Sequence, residues 1–447
     1  MAVSRMFDRP VGGPLYRALL VIGLGTSGSL PALAADSSAM QGAVADSTVV
    51  TSPPSGSTRS GAQIRRTLAG AALADFGLAM LHRADGGGDP NRALSPLSLA
   101  SGIGMVHAGT TGDARRELNS LLASRSASPL AFQSMAHTAL AALEAASGRE
   151  SPLRFANRIW LDRRAAKAPS PGYLASLGKY YGADAEIVDF AAGDDTRTQV
   201  NGWVARSTGG RIGALIPEGT MPASTRMLVT SALHFRSAWA SPFDPQQTEE
   251  RPFSLADGTT VQVPTMRAQV RAFKATFAHF AVFELPFASA YRLQLVVPTE
   301  LQPPQALIEQ LSGEGIAAWE PHLTPTTCAL SLPRFRVDAI SRPQKEVLRG
   351  LGVETVFTDR ADFSTMLGST GGRAHLGEVF HAAGISVDEA GAEASAATSA
   401  NVQAKSIVIE TEPTTVPCVI DRPFVFVLLH ESGIPVLIGQ VTDPTTP

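Results

Sequence analysis

The sequence predicts an α+β fold, because helical and strand-like segments are both present, although its 447 residues are long for one domain. Apolar side chains recur at helical spacing in residues 64–84, which predicts a helix at the start of the folded part. Residues 155–161 alternate like a strand with one buried face. The long stretches 374–387 and 406–439 are also apolar and strand-like. No internal repeat is visible, and 447 residues can bury a large core.

The chain begins with a segment typical of export. Residues 1–35 carry three arginines, then an apolar run at 18–24 and a small-residue cleavage site at 32–34. This order predicts a signal peptide over residues 1–35 and a secreted or periplasmic mature protein, with a buried N-terminal helix as the alternative. Residues 36–63, rich in Ser, Thr and Pro, predict a disordered leader, so the folded domain spans residues 64–447. No later stretch is apolar enough to span a membrane.

Local signals place the next elements. Ser95 is a natural helix N-cap and Pro96 a natural first helical residue, so a helix is expected to begin there. Residues 114–122 begin a further helix, and residues 227–235 form a strand.

Residues 387–406 are the most unusual stretch of the chain. A short acidic turn is followed by very small residues over 392–400, and the stretch ends at Lys405 beside Ser406. One interpretation is an exposed linker or short helix, since alanine favours helix while Gly391 and the Ser and Thr residues weaken it. The other is a strand that enters a packed sheet, because small side chains avoid overpacking and no proline removes an N–H.

The same stretch resembles a known family. The spacing Gly-x-Glu-Ala-x-Ala-Ala-Thr is similar to the proximal hinge of the serpins, and its residues here are Gly391, Glu393, Ala394, Ala396, Ala397 and Thr398. Further serpin motifs follow in family order at residues 91–98, 109–112, 155–161, 179–183, 188–190, 200–204, 210–217, 263–266, 284–287, 330–335, 361–364, 377–381, 423–426 and 439–441. Each motif is short, but the ordered set identifies the chain as a member of this family and, with the signal peptide, as an exported bacterial one.

The resemblance implies a single domain with three β-sheets, eight or nine helices and an exposed reactive loop. A protease that attacks this loop forms an acyl-enzyme, after which the hinge inserts into the main sheet as a new strand. The native state is therefore expected to be metastable and held by a kinetic barrier. The implied hinge residues are Glu389, Gly391, Ala392, Glu393, Ala394, Ser395, Ala396, Ala397 and Thr398.

The composition of the hinge favours an inhibitor. Every second residue from Ala392 to Ala400 is small and essentially apolar, which suits the buried face of an inserted strand. Glu393 belongs to the other set, where its charge can stay in water. A non-inhibitory serpin, acting as a binding or storage protein, would often carry a bulky or charged residue in the first set, and it is the alternative function.

Four residues resemble the polar cluster, the shutter, that lies beneath the opening sheet of serpins. Ser95, Ser98 and His381 match its two serines and its histidine, while Ser231 occupies the position of its asparagine. Because serine has fewer donors and a shorter reach than asparagine, the sequence predicts a weaker or water-bridged shutter.

The family rule, counted forward from the hinge, places the reactive bond at Lys405–Ser406. A lysine before the bond suits a trypsin-like protease, whose pocket carries a buried carboxylate. The segment after Lys405 is longer than usual, however, and counting backward ends near Glu412. The alternatives to Lys405 are Ile407, Ile409, Glu410 and Glu412, and the alternative targets are elastase-like, subtilisin-like or cysteine proteases.

The resemblance places the only two cysteines, Cys328 and Cys418, on neighbouring strands of the smallest sheet. It implies a disulfide that would hold the strand that detaches when serpins relax uncut, and export permits such a bond. Two buried thiols are the alternative.

Other functions are not indicated. The sequence has no nucleophile elbow, no His-Glu-x-x-His and no P-loop, and its nine histidines lack metal spacing, so neither an enzyme nor a metal or cofactor is predicted. A formal charge of −3 gives no reason to expect nucleic acid. The expected partner of this monomer is a target protease, and an adhesion module on the leader has no motif to support it.

Overall fold

The computed structural model describes residues 61–84, 91–123, 137–141, 143, 152–165, 168–311, 313–368, 374–393 and 415–446. They all lie in one compact unit of the chain, Thr58–Pro447. The signal peptide, most of the leader, hinge residues 394–398, the reactive bond Lys405–Ser406 and its alternatives at 407–412 lie outside the described residues.

The first three helices occupy the positions expected from local sequence signals. Ser95 caps the second helix by accepting a hydrogen bond from the Ser98 N–H, and Pro96 is its first residue, as predicted. The first helix begins three residues before the predicted start at residue 64. The bounds are α1 Gly61–Arg83, α2 Pro96–Gly109, α3 Gly112–Ala123, α4 Pro171–Tyr181, α5 Asp194–Ser207, α6 Pro304–Gln310, α7 Gly313–Trp319, α8 Lys345–Gly350 and α9 Ser364–Leu367. Within the described residues, none of these helices has the length and apolarity of a membrane span.

Strands account for most of the remaining chain. The predicted strand at residues 155–161 is in fact two short strands separated by Ala156 and Asn157, whereas the strand predicted at residues 227–235 is confirmed. The bounds are β1 Arg92–Leu94, β2 Leu153–Phe155, β3 Arg158–Asp162, β4 Asp184–Val188, β5 Met227–Phe235, β6 Ser237–Ala238, β7 Glu249–Ser254, β8 Thr260–Thr276, β9 Phe280–Pro286, β10 Tyr291–Pro298, β11 Thr324–Pro333, β12 Phe335–Val337, β13 Arg342–Pro343, β14 Glu378–Ala383, β15 Ile385–Val387, β16 Gly391–Ala392, β17 Val416–Val419, β18 Phe424–His430 and β19 Pro435–Val441.

The strands form three β-sheets, so the predicted α+β fold with three sheets is confirmed. The first sheet has the order β1-β19-β18-β10-β9-β8-β11-β17, with β7 beside β8. The central sheet has the order β13-β14-β5-β3-β4, with β2 beside β5. The hinge sheet has the order β12-β15-β16-β6. Because β6 follows β5 and β15 follows β14 almost without a break, the hinge sheet extends the central sheet.

Strand β5 is buried along its whole length because both of its faces are covered. Val229, Leu233 and Phe235 pack into the main core, which also contains α1 and α2. Leu228 and Ala232 pack into a second core with residues of α5. The two faces alternate along the strand, as the side-chain period of two requires.

Candidate functional site

The central sheet opens at the end of the β14–β5 pair. These strands run parallel and are paired from Glu378 with Leu228 to Ala383 with Leu233. Beyond that point β15 and β6 separate, and β16 lies between them, antiparallel to both. Ala392 pairs with Val387 on one side and with Ser237 on the other. Gly391 and Ala392 of the hinge are therefore already a strand of the sheet. The resemblance implies insertion only after cleavage.

Only glycine fits at the first position of this short strand. Gly391 has a φ of 149°, and a Cβ there would lie 2.2 Å from the Ser237 carbonyl oxygen and 2.7 Å from the Ala238 Cα. Both distances are shorter than real Cβ contacts, and both involve backbone atoms. Ala392 follows with 0% exposure, so its small side chain is fully buried in the sheet.

The acidic turn before β16 is anchored on three sides. The Arg334 guanidinium donates to both carboxylate oxygens of Glu389 at 2.8 and 3.0 Å, and the Thr248 hydroxyl donates to the same carboxylate. Burial raises the pKa of Glu389, but the hydrogen bonds from Arg334 and Thr248 outweigh it, so the pKa is lowered on balance. The Trp239 indole N–H donates to the Asp388 carbonyl at 2.8 Å, and its backbone N–H donates to Ala390 at 3.0 Å.

Strand β16 ends at Ala392, and Glu393 is the last described residue before residue 415. Its φ of 46° is the only positive value for a non-glycine residue in the described part of the chain. Its backbone N–H donates to the Ser386 carbonyl at 2.9 Å, and its carboxylate contacts the Nε2 of His234 on β5. A left-handed conformation is unfavourable for glutamate, so these two contacts stabilise the turn.

The four predicted shutter residues lie together beneath the β14–β5 pair. The Ser95 N–H donates to His381 Nε2 at 2.9 Å, and the other ring nitrogen lies 3.0 Å from the Ser231 carbonyl oxygen. Since Nε2 accepts, Nδ1 carries the proton and donates. The Ser231 hydroxyl lies 3.1 Å from Nδ1 and 2.9 Å from the Ser98 hydroxyl. Ser231 thus makes both contacts directly, although the sequence predicts a weaker or water-bridged cluster.

The cluster includes a residue that the sequence interpretation missed. The Ser98 hydroxyl donates to the Asn157 side-chain oxygen at 2.7 Å, so an asparagine is present, but it comes from the break between β2 and β3. The available signal was an asparagine within an otherwise alternating strand. His234, Thr248 and Arg334 were missed as well, since nothing in the sequence places them beside the hinge.

Burial keeps the shutter histidine neutral. Desolvation lowers the pKa of His381 to about 3, while its hydrogen bond to the Ser231 backbone acts in the opposite direction. A neutral ring can accept from Ser95 and donate to Ser231 at once, which a protonated ring cannot do.

The structure joins Cys328 and Cys418 in a disulfide, with their Cα atoms 5.5 Å apart. The bond links β11 to β17, a four-residue strand that pairs in parallel with β11 at the edge of the first sheet. The expected neighbouring strands are thus confirmed, but the expected smallest sheet is wrong, because these strands belong to the nine-stranded sheet. Strand β17 begins at Val416, shortly after the undescribed residues 394–414, and the disulfide fixes this strand to β11.

Comparison with known proteins assigns this architecture. A family model described as serpin (serine protease inhibitor) matches residues 71–444. The chain belongs to the serpin family. Serpin-Z1A of Triticum aestivum is 30% identical over 366 residues, which cover 79% of this chain and 90% of that relative. A serine protease inhibitor of Cyanea capillata is 28% identical over 367 residues, covering 80% and 93%.

Solved serpin structures share the fold. Serpin48 of the insect Tenebrio molitor superposes with a TM-score of 0.71 at 26% identity, covering 86% of this serpin and 100% of that chain. These relatives come from plants and animals, so they do not support the expected bacterial origin. The roles of the hinge, shutter and disulfide residues in this serpin stay predictions, to which the geometry above adds contacts.

Proposed function

We propose that this serpin inhibits a trypsin-like serine protease as a suicide substrate. The observation that carries the proposal is the position of Gly391 and Ala392, which already form a strand between β15 and β6. Insertion of the cleaved loop would lengthen an existing strand. Residues 394–400, which would follow, are uniformly small.

The chemical step is an acyl transfer at Lys405. The protease serine oxygen bonds to the Lys405 carbonyl carbon, the bond to the Ser406 nitrogen breaks, and the released amine takes up a proton. Residues 394–405 then carry the protease as an ester, while residue 406 becomes a new N-terminus. The lysine side chain is what assigns a trypsin-like target.

The pairing of β16 predicts the course of insertion. Ala392 faces Ser237 on one side and Val387 on the other. Six residues further along the hinge is Thr398, and six residues back along the two neighbouring strands are Ser231 and His381. An unbroken register therefore places Thr398 between the two shutter residues, which now contact each other directly.

The same register places alanine beside alanine. Ala397 would lie between Ala232 and Ala382, both almost fully buried on the α5 side of the sheet. Small side chains meeting small side chains allow a new strand to enter without overpacking. Before cleavage the closed β14–β5 pair and the shutter would form the kinetic barrier that keeps the loop out.

Incubation with trypsin, and separately with elastase-like and subtilisin-like proteases, tests the proposal. An SDS-stable complex of serpin and protease is expected, together with a released C-terminal peptide that begins at Ser406. A new N-terminus elsewhere in residues 407–413 would contradict the assignment of Lys405 and the trypsin-like target. Complete cleavage without any covalent complex would contradict inhibition and favour a non-inhibitory binding or storage role.

Export forms part of the proposal. It rests on the order of charges, apolar run and small residues in residues 1–35, which is typical of a cleaved signal. The mature serpin would then act as a monomer, secreted or in the periplasm, where its disulfide is stable. N-terminal sequencing of the protein recovered outside the cytoplasm should begin after Ala34 or Ala35.

A further inference from the structure

We infer that His234 is a positioning residue, which sets the register of the inserting strand through its contact with Glu393. The inference rests on the proposed insertion mechanism. It concerns which side chains of the hinge face the main core and which face the second core beside α5. The acyl transfer does not determine this.

The inserting tract has little sequence information to set its own register. In most strands an apolar face and a polar face make a slip by one residue unfavourable. Residues 394–400 read Ala-Ser-Ala-Ala-Thr-Ser-Ala, so both faces carry small side chains. A slipped strand would therefore bury nearly the same surface, and beyond the β16 pairs the tract itself adds little to the register.

Glu393 is the charged residue that directly precedes residues 394–400, at the end of the tract that adjoins β16. Its carboxylate contacts His234, which is 7% exposed, while the glutamate side chain is 23% exposed. Its N–H donates to Ser386, as expected for the next rung after the Val387–Ala392 pair. Its N–H therefore already has the partner that the register requires, although its φ of 46° has to become extended for the strand to continue.

The side of the sheet on which Glu393 contacts His234 determines which core each residue of 394–400 would face. Odd-numbered residues of β5 such as Leu233 and Phe235 face the main core, and even-numbered residues such as Ala232 face α5. The contact with His234 holds Glu393 on the α5 side. Residues 394, 396, 398 and 400 then face the main core, which receives three alanines and one threonine.

A slip by one residue reverses this arrangement. It would turn the Glu393 carboxylate towards the main core, where Phe235 packs edge-on against Phe287 and Tyr291. A buried, unpaired carboxylate is strongly unfavourable there. His234 therefore stabilises the correct register and Phe235 opposes the wrong one.

Hydrogen exchange in the intact protein tests the contact without a protease. His234→Leu and Glu393→Ala should each speed exchange of the Glu393 amide at least tenfold, because the turn loses its side-chain anchor. His234→Gln keeps an N–H donor and should restore most of the protection. The control is His375→Leu, which removes a partly exposed histidine that also lies 3.0 Å from a carboxylate, that of Asp359.

Trypsin titration then tests the register. The His234→Leu variant should be attacked within twofold of the wild-type rate but need at least threefold more inhibitor per protease trapped, with His234→Gln close to wild type. Equal exchange and equal stoichiometry in wild type and His234→Leu, with both trapping trypsin, would overturn the inference alone. A wild type that traps no protease would overturn the proposed function and this inference with it.

Discussion

The backbone N–H of Ser95 donates a hydrogen bond to His381 Nε2 at 2.9 Å, which links the first turn of α2 to strand β14. The opposite ring nitrogen contacts Ser231 on β5. One buried neutral imidazole therefore holds together the helix and the two strands that would have to separate if the cleaved loop inserts as proposed. The hydrogen bond from Ser95 depends on the ring remaining unprotonated, because Nε2 can accept only without a proton.

Acid should weaken the native state through His381. Burial lowers its pKa from 6.5 to about 3, so protons bind the unfolded chain more readily. Stability from this group is complete above about pH 6.5 and falls as the pH decreases towards 3, by up to ~1.4 kcal/mol per pH unit. Thermal unfolding between pH 8 and 4 measures this loss.

The His381→Gln variant provides the comparison. It should be less stable at neutral pH but lose stability more slowly than the wild type as the pH falls. Identical slopes in wild type and His381→Gln would show that this histidine does not control the acid response.

The Glu389–Arg334 pair should hold the acidic turn in place. Glu389 is 7% exposed, so Arg334→Ala leaves a buried carboxylate that keeps only the Thr248 hydroxyl among its side-chain donors. A loss of about 1–3 kcal/mol is expected from an unsatisfied buried acceptor. Denaturant unfolding measures it, and Arg336→Ala, which removes an exposed pair with Asp338, should have little effect.

Loss of the turn should also expose strand edges. If β16 leaves the sheet, β15 and β6 present unpaired N–H and C=O groups, which favour pairing with another molecule. Arg334→Ala should therefore form oligomers faster than Arg336→Ala on mild heating, as seen by size-exclusion chromatography. Equal rates would argue against an anchoring role for Arg334.

The disulfide should stabilise the uncut protein. Cys328 and Cys418 are 90 residues apart, and closing a loop of that length is typically worth about 2–4 kcal/mol. The double variant Cys328→Ala with Cys418→Ala should unfold more readily and lose inhibition faster when stored uncut, because β17 can detach. Reduction of the wild type should have the same effect, and unchanged storage stability would contradict it.

Cross-linking should report the register after cleavage. Cysteines introduced by Ala232→Cys and Ala397→Cys become cross-strand neighbours only if the tract inserts as proposed, since directly opposite Cβ atoms lie about 4.5–5.5 Å apart. Mass spectrometry without reduction should find the new bond in the cleaved protein but not in the intact one. Pairing Ala232→Cys with Thr398→Cys serves as the slipped control, and preferential bonding there would contradict the register.

Much of the fold could be predicted from local signals. Ser95 and Pro96 predicted the start of α2, and the apolar run at residues 227–235 predicted β5, because both depend on residues close in sequence. The division of residues 155–161 into β2 and β3 could not be predicted, since it depends on Asn157 meeting Ser98, which is 59 residues away. The resemblance, rather than periodicity, indicated three sheets.

The site was predictable only where a motif marked it. The hinge and the four shutter residues followed from matched positions, but the hinge's partners did not. His234 contacts Glu393 across 159 residues and Arg334 contacts Glu389 across 55, and neither histidine nor arginine carries a local signal for such pairing. That Gly391 and Ala392 already form a strand was not predicted either, because the opening between β15 and β6 is a property of the assembled sheet.

Thermal unfolding before and after cleavage tests the central claim most directly. Cutting the loop of the disulfide-intact protein with trypsin should raise the melting temperature far above that of the intact protein, because residues 394–400 become a paired strand between β14 and β5. A melting temperature unchanged or lowered by cleavage would contradict the claim that this sheet is completed by its own loop.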